Sequence, residues 1–308
     1  SRSEDLKGMN RINNSRLFTE NPTDDTDYEE RRPEPIWRRL IRERSATGAG
    51  IFLVLIVAAA VLAPWLAPYD PYSTDLSKIL RPIGTQGHLF GTDGQGREIF
   101  SRLLYGTRLT LIMGFVGAAI GGIIGGMMGI VSAFYAFLDK FTGRIVDIML
   151  SFPAILFGMA LVAITGAGIV PVILALAFAT VPGMARIARS SAMVVMRQEY
   201  MEAGRAIGLS DAVLIWRYLT LNCVSTLFVY LTLRFGQVIL LGAVLSFLGL
   251  GAQPPTAELG MMASKGRDYL FMAPHVATVP SFAIFLIVLA FNILSDAVRD
   301  VLDPRLRH

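Results

Sequence analysis

The 308-residue chain holds a single cysteine, Cys223, which excludes an internal disulfide and any cysteine-rich metal site. Charge is scarce too: 17% of residues are charged against 53% hydrophobic, a balance outside that of a soluble domain. The three histidines, His88, His275 and His308, stand far apart and read as interfacial or terminal polar residues, so no metal ligation is expected. There is no G-x-x-x-x-G-K-[ST] phosphate loop. The glycine-rich GTDGQGRE stretch at 91–98 lacks the lysine and the strand-to-helix setting that cradle phosphate. The chain alone is therefore not expected to hydrolyse ATP, and no cofactor is expected to be bound by it. Adjacent carboxylates such as Asp24 with Asp25 and Glu29 with Glu30 sit in an acidic tail as solvated charges. No catalytic residues can be assembled, so the chain is not expected to be an enzyme. The first apolar segment lacks a small-residue cleavage site and should persist as a helix.

What fills the chain instead is long apolar runs. A spanning helix needs about 20 predominantly apolar residues, and the runs predict an all-α membrane protein with six spans at about 48–67, 109–135, 146–165, 169–187, 222–248 and 276–296. The 148–185 stretch is too long for one helix and is divided at the glycine-rich TGAGIVP, 165–171. Orientation follows from arginine. Arg31, Arg32, Arg38, Arg39, Arg42 and Arg44 precede the first span, whereas the next loop balances Lys78, Arg81, Arg97 and Arg102 against Asp70, Asp75, Asp93 and Glu98. The N-terminus is thus expected in the cytoplasm, and with six spans so is the C-terminus, where Arg299, Arg305 and Arg307 lie. Segments 68–106 and 249–275 fall outside. The net charge of +4 reflects arginines at the lipid surface, and no nucleic-acid partner is expected.

Ahead of the 48–308 six-helix transmembrane domain, residues 1–32 are expected to form a polar cytoplasmic tail, in which NPTDDTDYEE (21–30) has the composition of a disordered segment. Met9 is a candidate natural start, which would make residues 1–8 foreign to the natural chain. Residues 33–47 place Ile36, Trp37, Leu40 and Ile41 on one helical face among arginines. That pattern suits a helix lying in the membrane interface, or equally an ordinary basic lead-in to the first span.

Within the spans, Gly117, Gly121, Gly125 and Gly129 recur at every fourth position, with Gly122 and Gly126 alongside. Such a face lets another helix approach closely, either inside this chain or on a second membrane subunit. Arg234 lies about 12 residues into the fifth apolar run, deep enough to be expensive unless it has a function. It either lines a water-filled path and attracts a carboxylate on a passing solute, or snorkels to the interface. Asp147 is expected to pair with Arg144, one helical turn away.

The 199–222 stretch, EYMEAGRAIGLSDAVLIWRYLTLN, is charged, helix-forming and set between apolar runs. Tyr200, Ala203 and Ile207 share one helical face, while Glu202 and Arg205 point elsewhere. Gly208 should end that helix. Ser210 is a good N-cap and Asp211 favours the first turn of a second helix, to which Val213, Ile215, Trp216 and Leu219 give apolar surface. Two short helices on a glycine joint make a rigid cytoplasmic lever.

This loop resembles the EAA motif of ATP-binding cassette (ABC) importer permeases, with Glu202, Ala203 and Gly204 in the leading triplet and Gly208 at the later glycine. HLFGTDGQGREIFSRLLYGTR (88–108), RIVDIMLSFPAIL (144–156), LSFLGLGAQPP (245–255) and LAFNILSDAVRDVLDPRLR (289–307) look like the dipeptide, oligopeptide, glutathione and nickel branch, and like its second permease subunit. The resemblance implies a six-helix type I importer permease in the bacterial inner membrane, pairing with a homologous permease so that the solute path lies between the two. Two ATP-binding subunits, carrying ATP and magnesium, would each accept a coupling helix from below, and an extracytoplasmic solute-binding protein would deliver substrate. Short peptides are the expected cargo, with glutathione or nickel as alternatives. Glu202 would be a docking contact, and Gly208 would set the angle between the helices.

Two departures stand out. Gly204 replaces the usual alanine, which weakens a helix by about 1 kcal/mol unless close contact compensates. Thr220-Leu221 replaces the usual Leu-Pro, so nothing forces a break and the second coupling helix is free to run into the fifth span. A secondary carrier would be expected to hold carboxylates within its spans and often an inverted repeat, and neither is visible. An intramembrane enzyme would need a nucleophile or metal cluster at depth.

Overall fold

The computed structural model describes residues 44–302. The tail, most of the 33–47 segment, and Arg305, Arg307 and His308 lie outside the described residues. Among the described residues there is no strand, only two isolated bridges, Thr85 with His88 and Thr92 with Glu98. The helices are α1 (Arg44–Val61), α2 (Ile99–Phe134), α3 (Ala136–Ser151), α4 (Ala154–Thr165), α5 (Ile169–Val195), α6 (Glu199–Ala206), α7 (Asp211–Phe247), α8 (Leu259–Gly266) and α9 (His275–Leu302). Of these, α2, α5, α7 and α9 are long and apolar enough to cross a membrane, and α3 with α4 form a fifth, bent candidate.

Each expected span has shifted ends, and the causes are local. The first ends at Val61 rather than near 67, because Pro64 restarts the chain in a separate turn, Ala63–Leu66. The second begins ten residues earlier than 109, since the Glu98 carboxylate caps the helix by accepting from the Phe100 and Ser101 amides at 3.0 and 2.6 Å. Its 36 residues make a rod of about 54 Å, longer than a bilayer is thick. The third is not one helix. Pro153 has no amide hydrogen and disfavours helix in the residue before it, so α3 and α4 meet at 85°. The fourth runs on to Val195, past Arg186 and Arg189.

Those arginines explain the extension. The Arg189 guanidinium grips Asp139 of α3 with two hydrogen bonds, the Nη2 one at 2.7 Å. Arg186 reaches Asp147 at 2.8 Å. The expected Asp147–Arg144 pair is therefore replaced by a bridge between helices, because the bend at Pro153 lays α3 across the end of α5.

The core is built on α2 and α5. A Cβ placed on Gly117 would stand 2.6 Å from that of Leu176, and one on Gly121 would stand 2.5 Å from the Ala177 carbonyl oxygen. Beyond these, Gly125 faces Met184 and Gly129 faces Ala188 in the same way, at 2.9 and 2.6 Å. The four-residue glycine stripe is thus the seat of α5 within this chain. Gly122 and Gly126, on the adjoining edge, receive Leu231 and Leu227 of α7. Lipid gives little drive for helices to associate, so backbone-close packing of this kind carries the fold.

At the Ile99 end of the bundle, the 68–98 loop folds into a lid. Buried Arg102, 1% exposed, donates from Nη1 to the Pro71 and Pro255 carbonyls at 2.7 and 3.3 Å, and its Nε lies 3.5 Å from Asp93. Asp93 in turn accepts from the Arg97 side chain at 2.7 Å and from the Gln95 and Arg97 amides. His88 and His275 are buried here, with the Tyr69 ring centroid 5.2 Å from that of His88.

Candidate functional site: the coupling loop

At the opposite end of α2 and α5 lies the 199–222 segment. Its first helix, α6, carries Glu199 and Glu202 in the first turn, where acidic groups favour the helix dipole. The helix closes at Gly208, whose φ of +78° is left-handed and costs an L-residue with a Cβ about 1–2 kcal/mol. Two bonds complete the stop: the Gly208 amide donates to Arg205 at 3.0 Å and the Leu209 amide to Gly204 at 3.1 Å. This is the Schellman hydrogen-bond pattern, with the Leu209 side chain lying close over the backbone of Gly204.

Gly204 is buried, and a Cβ there would stand 2.9 Å from the tip of Leu214 and 3.3 Å from the tip of Leu209. The two leucines occupy the room that alanine would take. The missing methyl is thus matched by closer packing between the two arms of the lever.

The apolar face read from the spacing is not the one that packs inward. Met201 and Gly204 are buried, whereas Tyr200 is 41% exposed and Ile207 76% exposed, with Ala203 also open. Tyr200, Ala203 and Ile207 do lie together, but on the outer side of α6. Glu202 and Ala206 are exposed too, as are Arg205, Arg217 and Trp216, the last by 57%. The exposed residues of the loop are therefore a mixture of apolar groups and charges of both signs.

Ser210 occupies the N-cap position of α7 with extended backbone, but its hydroxyl makes no capping bond. Asp211 instead accepts a 3.1 Å hydrogen bond from the Tyr135 hydroxyl at the end of α2. From Asp211 the chain is helical without interruption to Phe247. Residues Leu214–Thr220 are wound as a π-helix, a wider turn often found at functional sites. With no proline at 221, the lever arm and the fifth span are one continuous rod, as Thr220-Leu221 allows.

Behind these exposed residues, Ile215, Leu219 and Cys223 pack with Ile130 of α2 and Ala188 and Ala192 of α5. Arg205 lies over the Phe134 ring at 5.6 Å. The lever is thereby seated on the ends of the two helices that form the core. Its packed face thus touches α2 and α5 while its second arm continues as α7.

Other expected site residues fall elsewhere. Arg234 lies on α7, exposed, and makes no ion pair among the described residues. The glycine stripe is enclosed between α2 and α5. Sequence reasoning missed Glu258, which is 1% exposed. It caps α8 through the Gly260 and Met261 amides at 3.0 and 2.8 Å and accepts from Thr110 of α2 at 2.8 Å. Burial pushes its carboxyl up, opposed by those hydrogen bonds. An acidic residue just before an apolar helix was the available signal. Among the described residues no group of three His, Cys, Asp or Glu side chains is placed to hold a metal.

Residues 121–308 match the family described as binding-protein-dependent transport system inner membrane component, and residues 35–82 match the N-terminal TM domain of oligopeptide transport permease C. The glutathione transport system permease protein GsiD of Pectobacterium atrosepticum is 41% identical over 272 residues, 88% of this chain and 90% of its own. Its namesake from Escherichia coli O1:K1 is 42% identical over the same span. Among solved structures, an inward-facing MetNI methionine ABC transporter matches with a TM-score of 0.53 and 21% identity, over 67% of this chain and 98% of that one. At that identity the likeness shows the fold alone. The chain belongs to the binding-protein-dependent transport system inner membrane component family, as a non-catalytic, multi-pass permease subunit of a bacterial ABC importer in the peptide and glutathione branch.

Proposed function

We propose that this chain forms half of the transmembrane path for glutathione, a short peptide with free carboxylates, in an importer driven by partner ATPases. The observation that carries this reading is the 41–42% identity over 88% of the chain to permeases named for glutathione transport. Short peptides in general are the broader form of the same proposal. In this reading there are six membrane passes, counting the shorter apolar α1 with the four long helices and taking α3 with α4 as one bent span, and both termini and the coupling loop lie in the cytoplasm. Arginine placement supports that orientation.

In this reading the outer face of α6 and the start of α7 docks on an ATP-binding subunit, with Glu202 as a polar contact and Gly208 as the joint. A homologous permease completes the path, and each permease takes one of two ATPases. The Asp93–Arg102 lid faces outward, toward a solute-binding protein. ATP binding draws the coupling levers together, and the continuous α7 rod carries that movement into the bilayer, a two-state change biased from distant sites.

The test is uptake by vesicles holding the whole complex, supplied in turn with labelled glutathione, a neutral dipeptide and nickel. ATP-dependent glutathione uptake supports the proposal. Uptake of the dipeptide or nickel with none of glutathione overturns the substrate and leaves the permease role standing.

A further inference from the structure

Arg234 stands thirteen residues from both Leu221 and Phe247, the ends of the regular α-helical part of α7, and so near the middle of that span. At 1.5 Å per residue either end is about 20 Å away, and half of a bilayer's hydrocarbon core is about 15 Å. An extended arginine covers roughly half of that latter distance, too little to snorkel out. A guanidinium facing lipid at this depth would cost at least ~2.5 kcal/mol.

Arg234 is not an isolated polar group. Thr226, Tyr230, Arg234 and Gln237 follow at spacings of four, four and three, and at 3.6 residues per turn they fall within an arc of about 80°. Thr226, Arg234 and Gln237 are exposed in this chain and Tyr230 is half-buried, its hydroxyl lying close over Gly183 of α5. Off this stripe, Thr232 satisfies its own hydroxyl on the Phe228 carbonyl at 2.9 Å. The stripe's charge has no such partner: among the described residues no carboxylate pairs with Arg234.

The geometry points to a carboxylate-binding stripe, Thr226–Tyr230–Arg234–Gln237, lining the water-filled path, with Arg234 holding the anionic group of a passing solute and the flanking hydroxyl and amide groups supplying further hydrogen bonds. This deepens the function proposed above and rests on it for the identity of the solute. The local electrostatics can be tested without that identity.

Cys223 is buried, so Thr226→Cys and Gln237→Cys can each be read against a quiet background. In the assembled complex in vesicles, each is exposed to a sulfonate-bearing and to a trimethylammonium-bearing methanethiosulfonate, and modification is followed by the intact mass of this subunit. Exposed Phe285 of α9, as Phe285→Cys, gives an apolar control. The expected result is labelling at 226 and 237 but not at 285, with the anionic reagent favoured at 237 by about tenfold. Adding Arg234→Gln should abolish that preference and Arg234→Lys should keep it. No labelling at 226 and 237 overturns the path assignment. Equal rates for both reagents, unchanged by Arg234→Gln, overturn the anion site and signify that a partner's carboxylate neutralises the arginine. Failure of glutathione uptake by the unsubstituted complex, with the labelling pattern intact, would instead sink the substrate reading.

Discussion

The Tyr135 hydroxyl donates a 3.1 Å hydrogen bond to the Asp211 carboxylate, fastening the end of α2 to the first residue of the lever arm that becomes α7. Both groups are exposed, so the bond adds little to stability, under about 1 kcal/mol. If the loop is the lever proposed above, this bond ties any movement of Asp211 to α2 as well as to α7. Tyr135→Phe should leave assembly and melting temperature nearly unchanged while lowering solute moved per ATP by about twofold to fivefold, the scale of a coupling energy near 1 kcal/mol. Simultaneous assays of uptake and phosphate release in vesicles check this.

Gly121→Val addresses the core. Even the first added carbon would meet the Ala177 carbonyl at 2.5 Å, and backbone cannot step aside as a side-chain tip can. Overpacking of this kind costs about 1–3 kcal/mol, so the purified subunit should melt lower and associate poorly. By contrast Gly204→Ala meets only leucine tips. There the gain in helix propensity of about 1 kcal/mol and the repacking nearly cancel, and the melting curve should barely move.

Glu258 is a third case. Replacing it by alanine strands the Gly260 and Met261 amides and the Thr110 hydroxyl in a buried site, at about 1–3 kcal/mol. Glu258→Gln, which can still accept, should recover much of that loss. Thermal unfolding of the two variants in the same detergent separates cap chemistry from a simple volume effect.

The pattern of what was legible in the sequence has physical causes. Apolar length predicts helices well, because lipid forces backbone groups to pair within a segment, and the four-residue glycine spacing announced a close helix contact. Composition does not say which neighbour fills that contact, and the answer, α5, needed coordinates. The bend at Pro153 was in plain view as SFPAIL, yet counting apolar residues ran through it. Asp147 then found Arg186 across the bend rather than Arg144 on its own helix. At the coupling loop, the glycine stop at 208 was readable from turn chemistry, and the continuous rod from the missing proline. The buried face was not: periodicity identifies an apolar side without telling whether it turns to the core or to another protein. Glu98 reads in the sequence as a loop charge and Glu258 draws no notice, although each precedes an apolar helix that it caps.

The most direct test concerns the joint itself. Proline cannot adopt the φ of +78° at Gly208, and Glu202→Lys reverses an exposed charge of the loop without touching the packed face. In vesicles containing the complete complex with each variant, ATP should still be hydrolysed, while solute uptake per ATP falls by about tenfold or more, a loss near 1.4 kcal/mol in coupling. Uptake per ATP equal to that of the unsubstituted complex in both variants would contradict the account of this loop as the lever.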